Sequence, residues 1–140
     1  MLVCNLMITA GSLSAQVISE LPPFERAVSV IKHFEGLHNK AEHYPYVGYG
    51  HKVLPGENLS TDMTEEEADR LLRLDLRKLC KIFSSYGQDS LLLATLAYNV
   101  GAYRLLGYGD RPKSRLVKML TRATGTFIGK ISPSANTRER

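Results

Sequence analysis

The run SLLLATLAYNV at residues 90–100 is apolar on nearly every helical face, and a helix of that kind has to be the buried centre of its domain. Tyr98 and Asn99 are its main polar groups, and Gly101 closes it. At 140 residues the chain is long enough for one compact core and too short for two comfortable ones. The rest of the sequence therefore has to supply the elements that wrap this rod.

Pro22-Pro23 ends any earlier structure and suits a helix start. In the FERAVSVIKHFEG that follows, Ala27, Val30, Ile31 and Phe34 recur at helical spacing and Gly36 is a natural stop. This predicts a short amphipathic helix with Glu35 in its last turn. A carboxylate there sits at the negative end of the helix dipole, which disfavours its ionised form. Stability alone would place Lys at that position, whereas a proton donor needs Glu.

Residues 43–53, HYPYVGYGHKV, read as a short, bent antiparallel ribbon interrupted by Gly48 and Gly50, with Pro55-Gly56 turning the chain afterwards. Thr64-Glu65-Glu66-Glu67 is a capping box with extra acidic residues in the first turn, and the helix it opens runs to about Phe83. Its apolar stripe is Ala68, Leu71, Leu72, Leu76, Leu79 and Phe83, and Asp75 falls inside it. A carboxylate facing a core has to find a partner, unless it lies at the rim and touches water. A last helix is expected over roughly residues 113–120, after Pro112.

The formal charge of +4 points to an anionic partner only at first sight. Residues 16–120 carry 14 Lys and Arg against 13 Asp and Glu, and the excess lies in residues 121–140, with 4 against 1. Nucleic-acid binding through a basic patch is thus poorly supported. His33, His38, His43 and His51 lack the companion Cys or carboxylate pattern of a zinc site, and no phosphate loop or cofactor motif is present. Residues 1–14 are apolar, uncharged and end in Ser12-Leu13-Ser14, the shape of a secretory leader too short to span a bilayer. Export to the periplasm or beyond is the expectation if that leader is used, and otherwise a cytoplasmic stay until lysis. Removal of the leader would take Cys4 and leave Cys80 as a buried small apolar residue.

The order of these pieces resembles the phage-type lysozymes, glycoside hydrolase family 24, over about residues 24–120. Glu35-Gly36-Leu37 is similar to the family's acid motif, and Val47-Gly48-Tyr49-Gly50-His51 to its glycine-rich strand ending in His. Thr64 to Ala68 resembles the opening of the interlobe helix, and Leu96-Ala97-Tyr98-Asn99-Val100-Gly101 the central buried helix. The resemblance implies an α+β, mainly α fold with a small β-ribbon lobe, a larger helical lobe and a cleft between them. It implies a monomer acting on bacterial peptidoglycan, cutting the glycan strands between N-acetylmuramic acid and N-acetylglucosamine. It also implies a structural ion pair between His51 and Asp75, and an Asn99 that lines the cleft.

Glycosidases of this class protonate the leaving oxygen with one carboxylic acid while a second group handles water or the developing cation. Glu35 fits the first role. For the second, the family pattern has an Asp and then a Thr, but no Asp lies between Glu35 and His51, and Tyr46 stands where the Thr would align. The remaining candidates are Glu42 and His43. His43 is favoured, as a base or a group that positions water, because it adjoins the ribbon. The missing Asp keeps open two other readings, a non-hydrolytic glycan binder and a truncated, inactive copy.

Residues 121–140 show neither helical periodicity nor the family's closing helices. Read from the third base of each codon from Arg122, the genetic code lets the same nucleotides spell GNRHFYREDISFCKYKG, which resembles the expected ending. The tail is therefore read as a frameshift near Leu120 or as a genuine disordered segment. The domain assignment is a leader at 1–14, a catalytic domain at 15–120 and an atypical tail at 121–140.

Overall fold

The computed structural model describes residues 18–124, with side chains described as far as Arg122. The expected leader, and the tail beyond Thr124, lie outside the described residues. The fold is mainly helical with one small two-stranded antiparallel sheet. In chain order the elements are α1 (Pro23–Glu35), a 3-10 turn (Ala41–His43), β1 (Tyr46–Val47), β2 (His51–Lys52) and α2 (Glu65–Ile82). A second 3-10 segment (Ser84–Asp89) leads to α3 (Ser90–Val100), α4 (Ala102–Leu106) and α5 (Arg115–Thr124). No described helix is long and apolar enough to cross a membrane.

The α2 start matches its sequence chemistry. The Glu67 amide donates to Thr64 Oγ1 at 3.2 Å, and the Thr64 amide donates to Glu67 Oε2 at 2.8 Å. Two orphan donors of the first turn are thereby satisfied. Thr64→Ala is expected to cost about 1 kcal/mol, read as a lower urea midpoint at unchanged slope. Ala68, Leu72, Leu76 and Phe83 of the expected stripe are buried, while Leu71 and Leu79 are half-buried.

Helix α3 does occupy the centre, packing on α2, α1, α4 and the second 3-10 segment. Leu93, Ala94, Ala97 and Tyr98 are buried, each large apolar side chain contributing about 1.5–3 kcal/mol. Its burial is not all-round, however. Leu92 is 61% exposed and Leu96 36%, and Asn99 lies exposed on the same i, i+4, i+7 line. Neighbours cover only part of the circumference, so an apolar composition did not guarantee an enclosed helix.

Helix α1 buries Ala27, Val28 and Ile31, whereas Val30 and Phe34 are exposed. The expected stripe is thus rotated by part of a turn. Phe34 stacks edge-on against His33 at 5.1 Å instead of entering the core. A charged seam between α1 and α2 flanks this rotated face. Arg73 donates through Nη1 and Nη2 to the two Glu25 oxygens at 2.7 and 2.9 Å, and through Nε to Asp69 at 2.5 Å. Lys32 donates to Asp69 at 3.2 Å. A guanidinium fork of this kind fixes orientation as well as distance.

Helix α5 starts at Arg115, two residues later than expected, and runs to Thr124, so residues 121–124 are helical where no helix was anticipated. Thr121 Oγ1 donates to the Val117 carbonyl at 2.8 Å, which lets a polar residue sit inside the last turns. Cys80 is half-buried, and burial pushes its thiol up.

Candidate active site

Glu35 is the last residue of α1, and the Gly36 amide that follows donates to the Lys32 carbonyl with Gly36 at φ +69°. The Glu35 side chain lies against the turn between β1 and β2. A Cβ placed on Gly50 would stand 3.0 Å from Glu35 Oε2 and 3.5 Å from its carboxyl carbon. Gly50 has φ +88°, so the turn needs glycine there for its backbone and for the space the acid fills.

Three helices hold that turn. Tyr98 on α3 donates its hydroxyl to the Tyr49 carbonyl at 2.7 Å, a buried bond. Tyr49 donates its own hydroxyl to Glu65 at the start of α2, 2.9 Å away. Lys32 of α1 sits 4.8 Å from the Tyr49 ring centre. Burial, together with the Glu65 hydrogen bond, raises the Tyr49 phenol above its ordinary value. Gly48 rests on α2, where an added Cβ would meet Met63 and Ala68 at 3.1 and 3.2 Å. Tyr98 was legible only as a polar group in an apolar helix, and its carbonyl partner could not be read from sequence.

Two imidazoles and a tyrosine neighbour the same turn. His38 pairs with Gly48 as an isolated antiparallel bridge. Its ring lies 5.0 Å from the His43 ring, edge to face, and 6.5 Å from the Tyr46 ring. His43 closes the first 3-10 turn, and its Nδ1 accepts the Lys40 amide at 3.2 Å. Tyr46 is 40% exposed at the start of β1. Glu35 thus packs on the turn of the ribbon, Tyr46 opens its first strand, and His43 reaches it through the His38 ring. Asn99 lies on the exposed face of α3, and no described hydrogen bond or ring contact ties it to that group. Glu42, the other candidate for the second role, is exposed in the same 3-10 turn.

The expected pair of His51 and Asp75 is present, with His51 Nδ1 2.5 Å from Asp75 Oδ2. Sequence reasoning missed the third member. His51 Nε2 is 2.9 Å from Glu57 Oε2, and the Leu54 amide donates to the same Glu57 oxygen. Carboxylates only accept, so both ring nitrogens donate and His51 is an imidazolium. Burial opposes that charge, but the Asp75 and Glu57 hydrogen bonds outweigh it and raise the His51 value. Burial likewise pushes Asp75 and Glu57 up, and it is more than reversed by His51 together with Lys78 at Asp75, and by His51 together with the Leu54 amide and Lys78 at Glu57. Lys78 adds a 3.2 Å bond to Asp75. The cluster ties β2 and its following loop to α2, and so fixes one arm of the ribbon.

A concavity of about 320 Å³ between α1 and α2 is lined by Lys32, Glu65, Glu66, Asp69 and Arg70. None of the Glu35 group lines it. Among the described residues, no group of three or more His, Cys, Asp or Glu side chains is placed to hold a metal ion. No protein-family model, no curated protein and no solved structure matches this chain.

Proposed function

We propose that this chain is a lysozyme-type glycosidase, hydrolysing peptidoglycan glycan strands with Glu35 as the general acid. The observation that carries the reading is the packing of the Glu35 carboxyl against the Gly50 turn of the only described sheet. A carboxyl group held at a helix end, beside a ribbon edged by exposed aromatic side chains, suits protonation of a glycosidic oxygen on a sugar laid along that edge. Tyr44 and Tyr46 offer apolar ring surface to such a sugar, and both are exposed. His43 belongs to the same site as a group that orients water or substrate. In this reading the ribbon is the wall of a small lobe, the helices around α3 form the larger lobe, and the strand runs between them.

The test is release of reducing sugar from purified peptidoglycan. The unmutated chain is expected to release it, and a folded Glu35→Gln variant is expected to fall to background. Background release from both, with cooperative thermal unfolding of both, would overturn the glycosidase reading and favour a non-hydrolytic glycan binder.

A further inference from the structure

We propose that His38 is the general base that takes a proton from the attacking water, an assignment that rests on the glycosidase reading above. Two hydrogen bonds discriminate between the neighbouring imidazoles. The Gly48 carbonyl oxygen can only accept, so the His38 Nδ1 that lies 3.3 Å from it is the donor. In neutral His38 the proton thus sits on Nδ1, and Nε2 carries a lone pair. His43 has the opposite form. Its Nδ1 accepts the Lys40 amide, so in the neutral ring the proton sits on Nε2. While that bond stands, His43 offers a donor where a base has to offer an acceptor. The two ring centres are 5.0 Å apart, edge to face, and the Tyr46 ring lies 6.5 Å from that of His38.

Backbone bonds fasten His38 in place. Its amide donates to the Gly48 carbonyl at 2.6 Å, and the Gly48 amide donates to the His38 carbonyl at 3.2 Å. The Glu35 carboxyl is packed on Gly50, two residues further along the same turn. Both groups are thereby fastened to one turn.

In the reaction the water oxygen bonds to the anomeric carbon while His38 Nε2 takes one of the water protons. The bond from that carbon to the glycosidic oxygen breaks, its electron pair goes to the oxygen, and Glu35 supplies the proton. The products are a reducing sugar of inverted configuration and a strand with a new hydroxyl. Exchange with solvent then restores neutral His38 and protonated Glu35.

His38→Asn is the sharpest test, because an amide N–H near the Nδ1 position can still donate to Gly48 while Nε2 is gone. Turnover of peptidoglycan by the full chain is expected to fall about 10²–10⁴-fold, with an unchanged thermal midpoint. His38→Ala, assayed below its own midpoint with added azide, is expected to recover turnover and to yield a glycosyl azide, because azide attacks without a base. Full turnover in His38→Asn beside an inactive Glu35→Gln would overturn the assignment and leave the glycosidase reading standing. Failure of azide to form any glycosyl azide with His38→Ala would also overturn it. Background release by the unmutated chain would overturn both.

Discussion

Asp75→Ala is expected to lower the unfolding free energy by about 3 kcal/mol, the low end of the range for a broken buried ion pair. The low end applies because the Asp75 side chain keeps 15% of its surface in water and His51 retains Glu57. The loss has two parts. The variant removes an acceptor 2.5 Å from a nearly buried imidazolium, and it leaves that charge half-compensated beside the core. Urea unfolding of Asp75→Ala, His51→Ala and the double variant separates these parts. If the pair is one unit, the double variant loses less than the sum of the singles, with a coupling of about 0.5–3 kcal/mol. Strict additivity would show that Asp75 matters only through its own packing.

The same cluster makes stability depend on pH from both sides. The His51 value is raised in the folded state, so its contribution is complete below the unfolded value and is lost as pH rises through the folded one. The Asp75 and Glu57 values are lowered, so their contribution is complete above the unfolded carboxylate range and is lost as pH falls through the folded values. The thermal midpoint is therefore expected to be highest between about pH 5 and 6.5 and to fall in both directions. In His51→Gln the alkaline decline is expected to flatten. An unchanged alkaline limb would mean that another group produces it.

How much of this was legible in the sequence follows from the range of each interaction. The capping box at Thr64 and Glu67 acts across three residues of one helix, so its letters suffice. Asp75 was marked as a carboxylate within an apolar stripe, and only the resemblance to a family supplied His51 as its partner. Glu57 lies in a loop, with no periodicity to single it out, and it reaches His51 only because the loop folds back at Leu54. In α1, exchanging Val28 for Val30 rotates the buried face by part of a turn, and helical spacing alone cannot choose between them. Packing against the rest of the core takes Val28, and the seam of Glu25, Arg73, Asp69 and Lys32 accompanies it through contacts up to 48 residues apart in sequence. Candidate site residues fared similarly. Glu35 and His43 stood out as letters, but what separates His43 from His38 is a backbone amide on one ring and a backbone carbonyl on the other. Every residue but proline carries the first and every residue the second, so neither has a sequence signature.

A matched pair of glycines tests whether the turn positions the acid. Gly50 and Gly56 have nearly the same φ, +88° and +91°, and L residues are strained there. Alanine at either position is expected to cost about 1–2 kcal/mol of stability. The surroundings differ. Nothing lies within 4 Å of a Cβ on Gly56, whereas a Cβ on Gly50 meets Glu35 Oε2 at 3.0 Å. The carboxyl is the flexible member of that contact, so it has to move away from the turn. A displacement of about 1 Å at a reacting group can cost on the order of 100-fold in rate. The contact asks the carboxyl to give by a few tenths of an ångström. Gly50→Ala is therefore expected to lose severalfold, well under that limit of about 100-fold, in release of reducing sugar, while Gly56→Ala keeps its turnover at a similar loss of stability. Comparing the two cancels the backbone strain and isolates the place of the acid. Undiminished turnover in both variants would mean that Glu35 does not act from its position against Gly50, and equal losses in both would trace the effect to strain in the chain and not to the carboxyl it displaces.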